Sequence, residues 1–446
     1  MKKRDFLKTS AIVASSMLFP RTLISQGKSF KKIRTAHIGV GGMGFHDLKA
    51  ISSHNSVEVV GLCDVDSDAL LKLKVKYPNV KTYKDYRIML SELSDQIDAV
   101  IISTPDHTHA PAALMAMKNN KAVYCQKPLA HSVSELREMR KISEEKNLTT
   151  QMGIQVHSFY DYKLATLLIQ SGIIGKVSRV RAWSPKNWGY DGKKPEGSDP
   201  VPSSLDWNLW LGTASKRPFK EKIYHPGNWR KLVDFGCGTL GDMGVHIFDT
   251  PYNALALDVP KTIVNKCRKP NGYGYPEKNI VKYIFPGTSY TTEELEWIWY
   301  DGKGSPRHHD ELRLPNKDKL PLQGAMFIGE KGRLLLPHFM ERPRLIVNGK
   351  YQDIDVKDYD PNGDLGVEVN DYERDAPKHY HQFINACLGT EEVSASFSYS
   401  ARLTETILLG VIAGRFPNKT LHWDSKKAKF KESEANIYLK ESNRNF

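Results

Sequence analysis

Cysteine is scarce and scattered. The chain has five in 446 residues (Cys63, Cys125, Cys237, Cys267 and Cys387), an odd number with no C-x-x-C pair. That spacing argues against a disulfide framework and against a zinc site, and leaves buried free thiols as the expectation. Long apolar runs are missing too. The N-terminal MKKRDFLKTSAIVASSMLFP holds a modest apolar stretch that is too short and too polar to span a membrane, so no stable membrane anchor is expected. The formal charge is +13, yet no basic block is interleaved with aromatics, so nucleic acid is not an expected partner. There is no internal repeat and no low-complexity tract. His308-His309-Asp310 has no fourth ligand at a useful spacing, so it reads as a solvated loop and no metal is expected.

What the chain does have is a glycine turn. Residues 37–44 read HIGVGGMG, with Gly39, Gly41 and Gly44 at G-x-G-x-x-G spacing and Gly42 and Met43 inside the turn. A strand-like run, 33–38, precedes it, and Phe45, Leu48 and Ile51 follow at helical spacing. A second strand, 56–64, ends in Asp64. Strand, glycine turn, helix and a well-spaced acid form the layout that cradles a dinucleotide. Asp64 would accept hydrogen bonds from the adenosine ribose. An acid there repels a 2′-phosphate, and no Arg or Lys follows at once, so NAD is expected over NADP.

Strand-like and helix-like runs alternate as far as about residue 150, which implies a doubly wound parallel sheet. After that the texture changes. A helix (159–171) and a strand (177–184) lead into a Trp-, Pro- and Gly-rich stretch from Pro185 to Trp229. A loop of that length inside a compact domain is usually functional. Runs over 262–350 alternate as antiparallel strands do, and 378–388 and 400–416 read as helices. The expected fold is α/β, a Rossmann domain over 28–155 followed by an α+β domain with a largely antiparallel sheet over 156–446.

Three features join the glycine turn: residues 103–130 (STPDHTHAPAALMAMKNNKAVYCQKPLA), residues 241–249 (GDMGVHIFD), and the change to an antiparallel second half. Together they resemble the glucose–fructose oxidoreductase / inositol dehydrogenase (Gfo/Idh/MocA) family over residues 31–424. The resemblance implies that Lys127, in CQKP, lies at the nicotinamide and substrate. The family pattern there is Glu-Lys-Pro, and Gln126 replaces the Glu. It implies that Asp242 and His246, four apart, face the substrate carbinol, with His246 transferring the proton and Asp242 orienting it. Histidine suits that role because its pKa lies near neutrality. Thr104 and Pro105 would lie against the cofactor, and His109, in a loop after a buried strand, either borders the cofactor or bonds backbone. His157, Asn187, Trp188, His225 and Trp229 are candidate contacts to a sugar ring. A homodimer or homotetramer is expected because the family buries the second sheet's outer face between subunits.

The function that follows is an NAD-dependent oxidoreductase acting on a sugar, glycoside or polyol. The alternatives are a glycoside-cleaving or epimerising enzyme with transient redox, and a non-catalytic sugar or nucleotide sensor. Lys3-Arg4-Asp5-Phe6-Leu7-Lys8 resembles the twin-arginine export signal with Lys in place of the first Arg. Residues 1–27 are therefore expected to direct export of a folded, cofactor-loaded protein to the periplasm. The alternative is the tail of a cytoplasmic enzyme.

Overall fold

The computed structural model describes residues 32–306, 308–440, 444 and 446; the expected export leader, 1–27, lies outside them. The first half runs β1 (Ile33–Ile38), α1 (Met43–Ser52), β2 (Val57–Cys63), α2 (Ser67–Leu73), β3 (Lys81–Tyr83), α3 (Tyr86–Glu92), β4 (Ala99–Ile102), α4 (Asp106–Lys118), β5 (Ala122–Gln126), α5 (Val133–Glu145) and β6 (Thr150–Gly153). The strands are parallel in the order β3-β2-β1-β4-β5-β6. The order reverses between β1 and β4. Ligands of open α/β sheets bind at such a point, outside the carboxyl ends of the strands.

Capping fixes several of these helices. Ser132 caps α5 by accepting from the Glu135 amide. Asp66 and Asp85 cap α2 and α3 in the same way. Neither those helices nor β3 shows in the hydrophobic pattern, because they are short and β3 is a polar three-residue edge. The two Asp caps were the local start signals. The DHTHA segment, expected in a loop, forms the first turns of α4 behind Pro105.

The second half adds α6 (Tyr160–Gln170), β7 (Val177–Ser184), α7 (Trp207–Leu211), α8 (Val245–Ala254), β8 (Thr262–Lys266), β9 (Ile280–Pro286), β10 (Thr291–Asp301), β11 (Gly324–Gly329), β12 (Arg333–Pro337), β13 (Arg344–Val347), β14 (Lys350–Gln352), α9 (Tyr372–Leu388), α10 (Phe397–Ala413), β15 (Leu421–Asp424) and β16 (Lys429–Phe430). Its ten strands are ordered β14-β13-β12-β11-β7-β10-β9-β8-β15-β16, antiparallel except for the β7–β10 pair. The inner face presents Val180, Ala182, Trp297, Trp299 and Phe327, all fully buried. Phe248 of α8 packs on Trp297 with ring centroids 4.3 Å apart. That apolar core continues without a break into Ile38, Val100 and Cys125 of the first sheet. The change at residue 155 is thus one of architecture, not a gap in the core.

Two expectations are corrected here. Cys63, Cys125 and Cys237 are buried, but Cys267, just past β8, and Cys387, in the last turn of α9, are only partly so. The outer face of the large sheet was expected to lack a cover within the chain. Trp183, Met326, Leu335 and Ile346 on that face are instead buried by Leu312 and Leu314 from the segment after β10. Burying each of those leucines contributes roughly 1.5–3 kcal/mol.

Candidate active site

One large cavity, of about 1230 Å³, runs along the carboxyl ends of β1, β2, β4 and β5. At its floor Gly39 adopts φ +79°, and a Cβ there would lie 2.8 Å from the Ser103 carbonyl oxygen. A Cβ on Gly44 would lie 2.0 Å from the Gly39 oxygen. Only hydrogen fits at either place, so β1, β4 and α1 meet closely enough to present backbone to a ligand. No side chain caps α1; the Gly44 and Phe45 amides bond back to the Gly41 and Gly42 carbonyls, so the turn offers an anion the Gly42 and Met43 amides.

Asp64 lines the same end. Its Oδ2 accepts from the Val40 and Gly41 amides at 2.8 and 3.1 Å, and its Oδ1 accepts from the Asp66 amide at 2.9 Å. It therefore holds the glycine turn in shape. A carboxylate has about four acceptor sites, which leaves room for a ribose hydroxyl. Burial pushes its carboxyl up from the ordinary value, and the three amides oppose that. Replacing Asp64 with Ala is expected to weaken NAD and to narrow its advantage over NADP, read by equilibrium titration of both. A wild type that prefers NADP would refute the ribose assignment. The dinucleotide thus fits: a glycine-floored cradle, open helix amides and a ribose acceptor share one cavity.

At the other end three distant segments converge. Lys127, which follows β5, donates from Nζ to Asp242 Oδ1 at 2.9 Å and to the Asp242 carbonyl at 3.0 Å. Asp242 sits in a π-helical turn, Leu240–Gly244, ahead of α8. Its Oδ2 accepts from Trp188 Nε1 at 2.6 Å, and Arg230 Nε lies 3.5 Å from Oδ1. Burial alone would raise its carboxyl; the Lys127 and Arg230 charges and the Lys127 hydrogen bond outweigh that and hold it well below the usual range. The carboxylate expected to orient His246 is thus committed to Lys127, Trp188 and Arg230. His246 stands beside it, half-buried, with its buried Nδ1 unpartnered. Burial, then Lys127 and His338, push its imidazole well below the ordinary value, which favours its neutral form.

The other candidate residues divide. Thr104 and Pro105 line the cavity. His109 does so too, but Nδ1 lies 2.7 Å from the Pro128 carbonyl and Nε2 2.8 Å from the Thr104 carbonyl, so both ring nitrogens face backbone and the one that carries hydrogen donates there. His157 lies off the cavity, bound through Nδ1 to Asp249 at 2.9 Å. Asn187 is exposed and caps its own turn through Gly189. Trp188 stands behind Asp242 rather than on a ligand face. Trp229 lines the cavity, with the Arg230 guanidinium 4.2 Å over its ring. His225 also lines it, 3.6 Å from Asp66, which places it at the Asp64 end and away from the reacting groups. The Pro185–Trp229 stretch is largely irregular but ordered by its own apolar cluster around Trp210 and Phe235. Asp206 N–H bonds the Val65 carbonyl, anchoring it beside β2.

His338, Lys186 and Gln323 also line the cavity, and no local pattern in the sequence marks them. Tyr162 OH and His338 Nδ1 are 2.5 Å apart, and the His338 ring is 6.1 Å from that of His246. Burial and the Lys186 and Lys127 charges lower its imidazole to about 3.

Residues 33–154 match the model of an oxidoreductase family with an NAD-binding Rossmann fold, and residues 163–263 match that family's C-terminal alpha/beta domain. A glycosyl hydrolase family 109 protein of Stenotrophomonas maltophilia is 31% identical over 192 residues, 41% of this chain and 42% of that protein. The chain therefore aligns with less than half the length of that relative. Among solved structures, the WlbA dehydrogenase of Bordetella pertussis, in complex with NADH and UDP-GlcNAcA, superposes with TM-score 0.61 at 15% identity, over 88% of this chain and 98% of that one. Levoglucosan dehydrogenase, in complex with NADH, superposes with TM-score 0.62 at 14% identity, over 87% and 98%. The two matched models, the glycine cradle and the paired Lys127 and Asp242 agree: this chain is an NAD-binding member of the Gfo/Idh/MocA oxidoreductase family.

Proposed function

We propose that the protein transfers hydride between a hydroxyl-bearing carbon of a sugar, glycoside or polyol and nicotinamide. The observation that carries this is the meeting of Lys127, Asp242 and His246 in the cavity that the glycine turn floors. Bound NAD supplies the hydride acceptor. His246, which lines the cavity, takes the hydroxyl proton. Lys127, held by Asp242, stabilises negative charge developing on the substrate oxygen. The same three groups argue against a non-catalytic sensor.

A second reading, glycoside cleavage or epimerisation by transient oxidation, is favoured by two observations. The Stenotrophomonas relative is named a family 109 glycosyl hydrolase. The second histidine, His338, stands 6.1 Å from His246 in the same cavity. A ketone acidifies the adjacent C–H, and His338 is the second imidazole in the cavity that could receive that proton. The glycosidic oxygen then leaves and takes up a proton, water adds to the resulting enone, and return of the hydride restores the alcohol. Such an enzyme keeps its cofactor, as an exported one must.

Export to the periplasm through the Lys3-Arg4 motif belongs to this proposal, as does a homodimer or homotetramer. One preparation tests it. The protein beginning near residue 28 is expected to survive dialysis and to release NAD or NADH on denaturation. A glycoside panel then separates ketone products from cleaved ones. Turnover of neither class would overturn the enzyme reading. Light scattering reads the assembly, and a monomer would refute the oligomer. Cell fractionation with and without a change at Arg4 reads the location; cytoplasmic protein that exchanges NAD freely would refute export.

A further inference from the structure

The family pattern places a carboxylate next to the lysine, and this chain has Gln126 there. The structure returns a carboxylate to the spot from elsewhere. Asp47 of α1 is fully buried. Its Oδ2 accepts from Ser103 Oγ at 2.5 Å, and Gln126 Nε2 donates to both oxygens at 2.9 and 3.1 Å. Tyr380 OH donates to Oδ1 at 2.6 Å while accepting from Gln155 Nε2 at 2.7 Å. Every bond to Asp47 itself is donated to the carboxylate, which is the arrangement an ionised carboxylate requires. Among the described residues no lysine or arginine forms an ion pair with it. Burial raises its carboxyl from the ordinary value, and the Ser103, Tyr380 and Gln126 donors oppose that rise, with His46 adding a smaller field.

The site is built to hold this group. A Cβ at Gly153 would lie 2.8 Å from Gln126 Cδ, so the glycine at the end of β6 makes room for the amide that reaches Asp47. Ser103, Gln126 and Gln155 line the cavity, and Lys127 follows Gln126 directly. The uncompensated carboxylate therefore sits just behind the cavity wall, between the glycine turn that Ser103 packs against and the Gln126-Lys127 end of β5.

We propose that Asp47 is a resident anion that biases the site toward the oxidised cofactor. The nicotinamide ring is cationic when oxidised and neutral when reduced. A buried anion behind its binding wall stabilises the first and is indifferent to the second, because low polarity preserves the field. Lys127 and Arg230 act in the opposite sense, and Asp47 offsets them. Asp47 touches neither cofactor nor substrate; it is a positioning residue that acts through charge. The inference rests on NAD binding and not on which substrate is turned over.

The test is the ratio of the NAD⁺ and NADH dissociation constants of the full-length protein, measured by calorimetry, with ADP-ribose as a ligand lacking the ring. Asp47→Asn is expected to shift that ratio roughly tenfold toward NADH, the order expected of one buried unit charge. ADP-ribose, which shares the pyrophosphate and lacks the ring, should respond as NADH does. The exchanged pair Asp47→Asn with Gln126→Glu returns the charge to the wall and should restore the ratio. Equal weakening of both cofactors and of ADP-ribose, or an exchanged pair that behaves like Asp47→Asn alone, overturns the proposal. If Asp47→Asn fails to fold, Tyr380→Phe removes one donor from the carboxylate and favours its protonation. It should move the ratio in the same direction, and an unchanged ratio there is equally decisive against the proposal.

Discussion

Lys127→Ala and His246→Ala are each expected to lower turnover by about 10²–10⁴-fold while NAD stays bound. The estimate follows from what each removes. A lost donor to a developing oxyanion costs about 10²–10³ in kcat, and a lost general base about 10²–10⁴. Neither side chain belongs to the glycine cradle, so the cofactor should remain, as ultraviolet absorbance after gel filtration would show. Lys127→Ala carries a second signature. The Lys127 charge is one cause holding the His246 imidazole below its ordinary value of 6.5. Removing that cation favours protonation of His246 and raises its pKa. Because the neutral imidazole is the active form, the acid limb of the kcat/KM profile should move to higher pH. Near-normal turnover in either variant would remove that residue from the mechanism. An acid limb that stays in place would separate Lys127 from His246.

The glycine turn gives the other large effect, and it splits by position. Gly44→Ala places a Cβ 2.0 Å from the Gly39 oxygen, a backbone atom that cannot swing aside. Overpacking of this kind typically costs about 1–3 kcal/mol, and here it forces α1 away from β1, so both thermal stability and NAD binding should fall. Gly41→Ala is different. Its Cβ would meet the Ala69 Cβ at 3.6 Å and Asp64 Oδ2 at 3.7 Å, which are ordinary contacts. The unliganded fold should therefore melt normally while NAD affinity drops, because the added methyl stands where the pyrophosphate approaches. Scanning calorimetry with and without NAD distinguishes the two. Equal losses of stability in both variants would refute the separation.

How much of the site was legible depended on how local its signal was. The glycine turn, Asp64, the CQKP lysine and the Asp242–His246 spacing are short patterns, and the structure brings all of them to one cavity. His109 could not be decided from its neighbours, because what occupies its nitrogens is the Pro128 carbonyl nineteen residues on and the Thr104 carbonyl five back. His157 and Asn187 sat in suggestive stretches, yet a buried partner, Asp249, claims one and a local turn claims the other. The partner of Asp242 was misjudged for a related reason. Four-residue spacing on a helix argues for contact between neighbours, but a π-helical turn and three cationic or N–H donors from other segments took its oxygens first.

The sequence by itself determined the parallel sheet, the place of its dinucleotide crevice and the antiparallel character of the second half. These follow from period, turn residues and caps, which act within a few residues of one another. Tertiary structure alone decided the rest. It set Lys127 against a carboxylate 115 residues away, and it placed His338 6.1 Å from His246. It also supplied, from Asp47 on the first helix, the charge that Gln126 lacks, 79 residues further on. Such pairings depend on which strand ends and loops the folded sheet brings together, and on the cost of leaving a buried charge or polar group without a partner. That cost is settled only when the distant groups meet, so no window of sequence carries it.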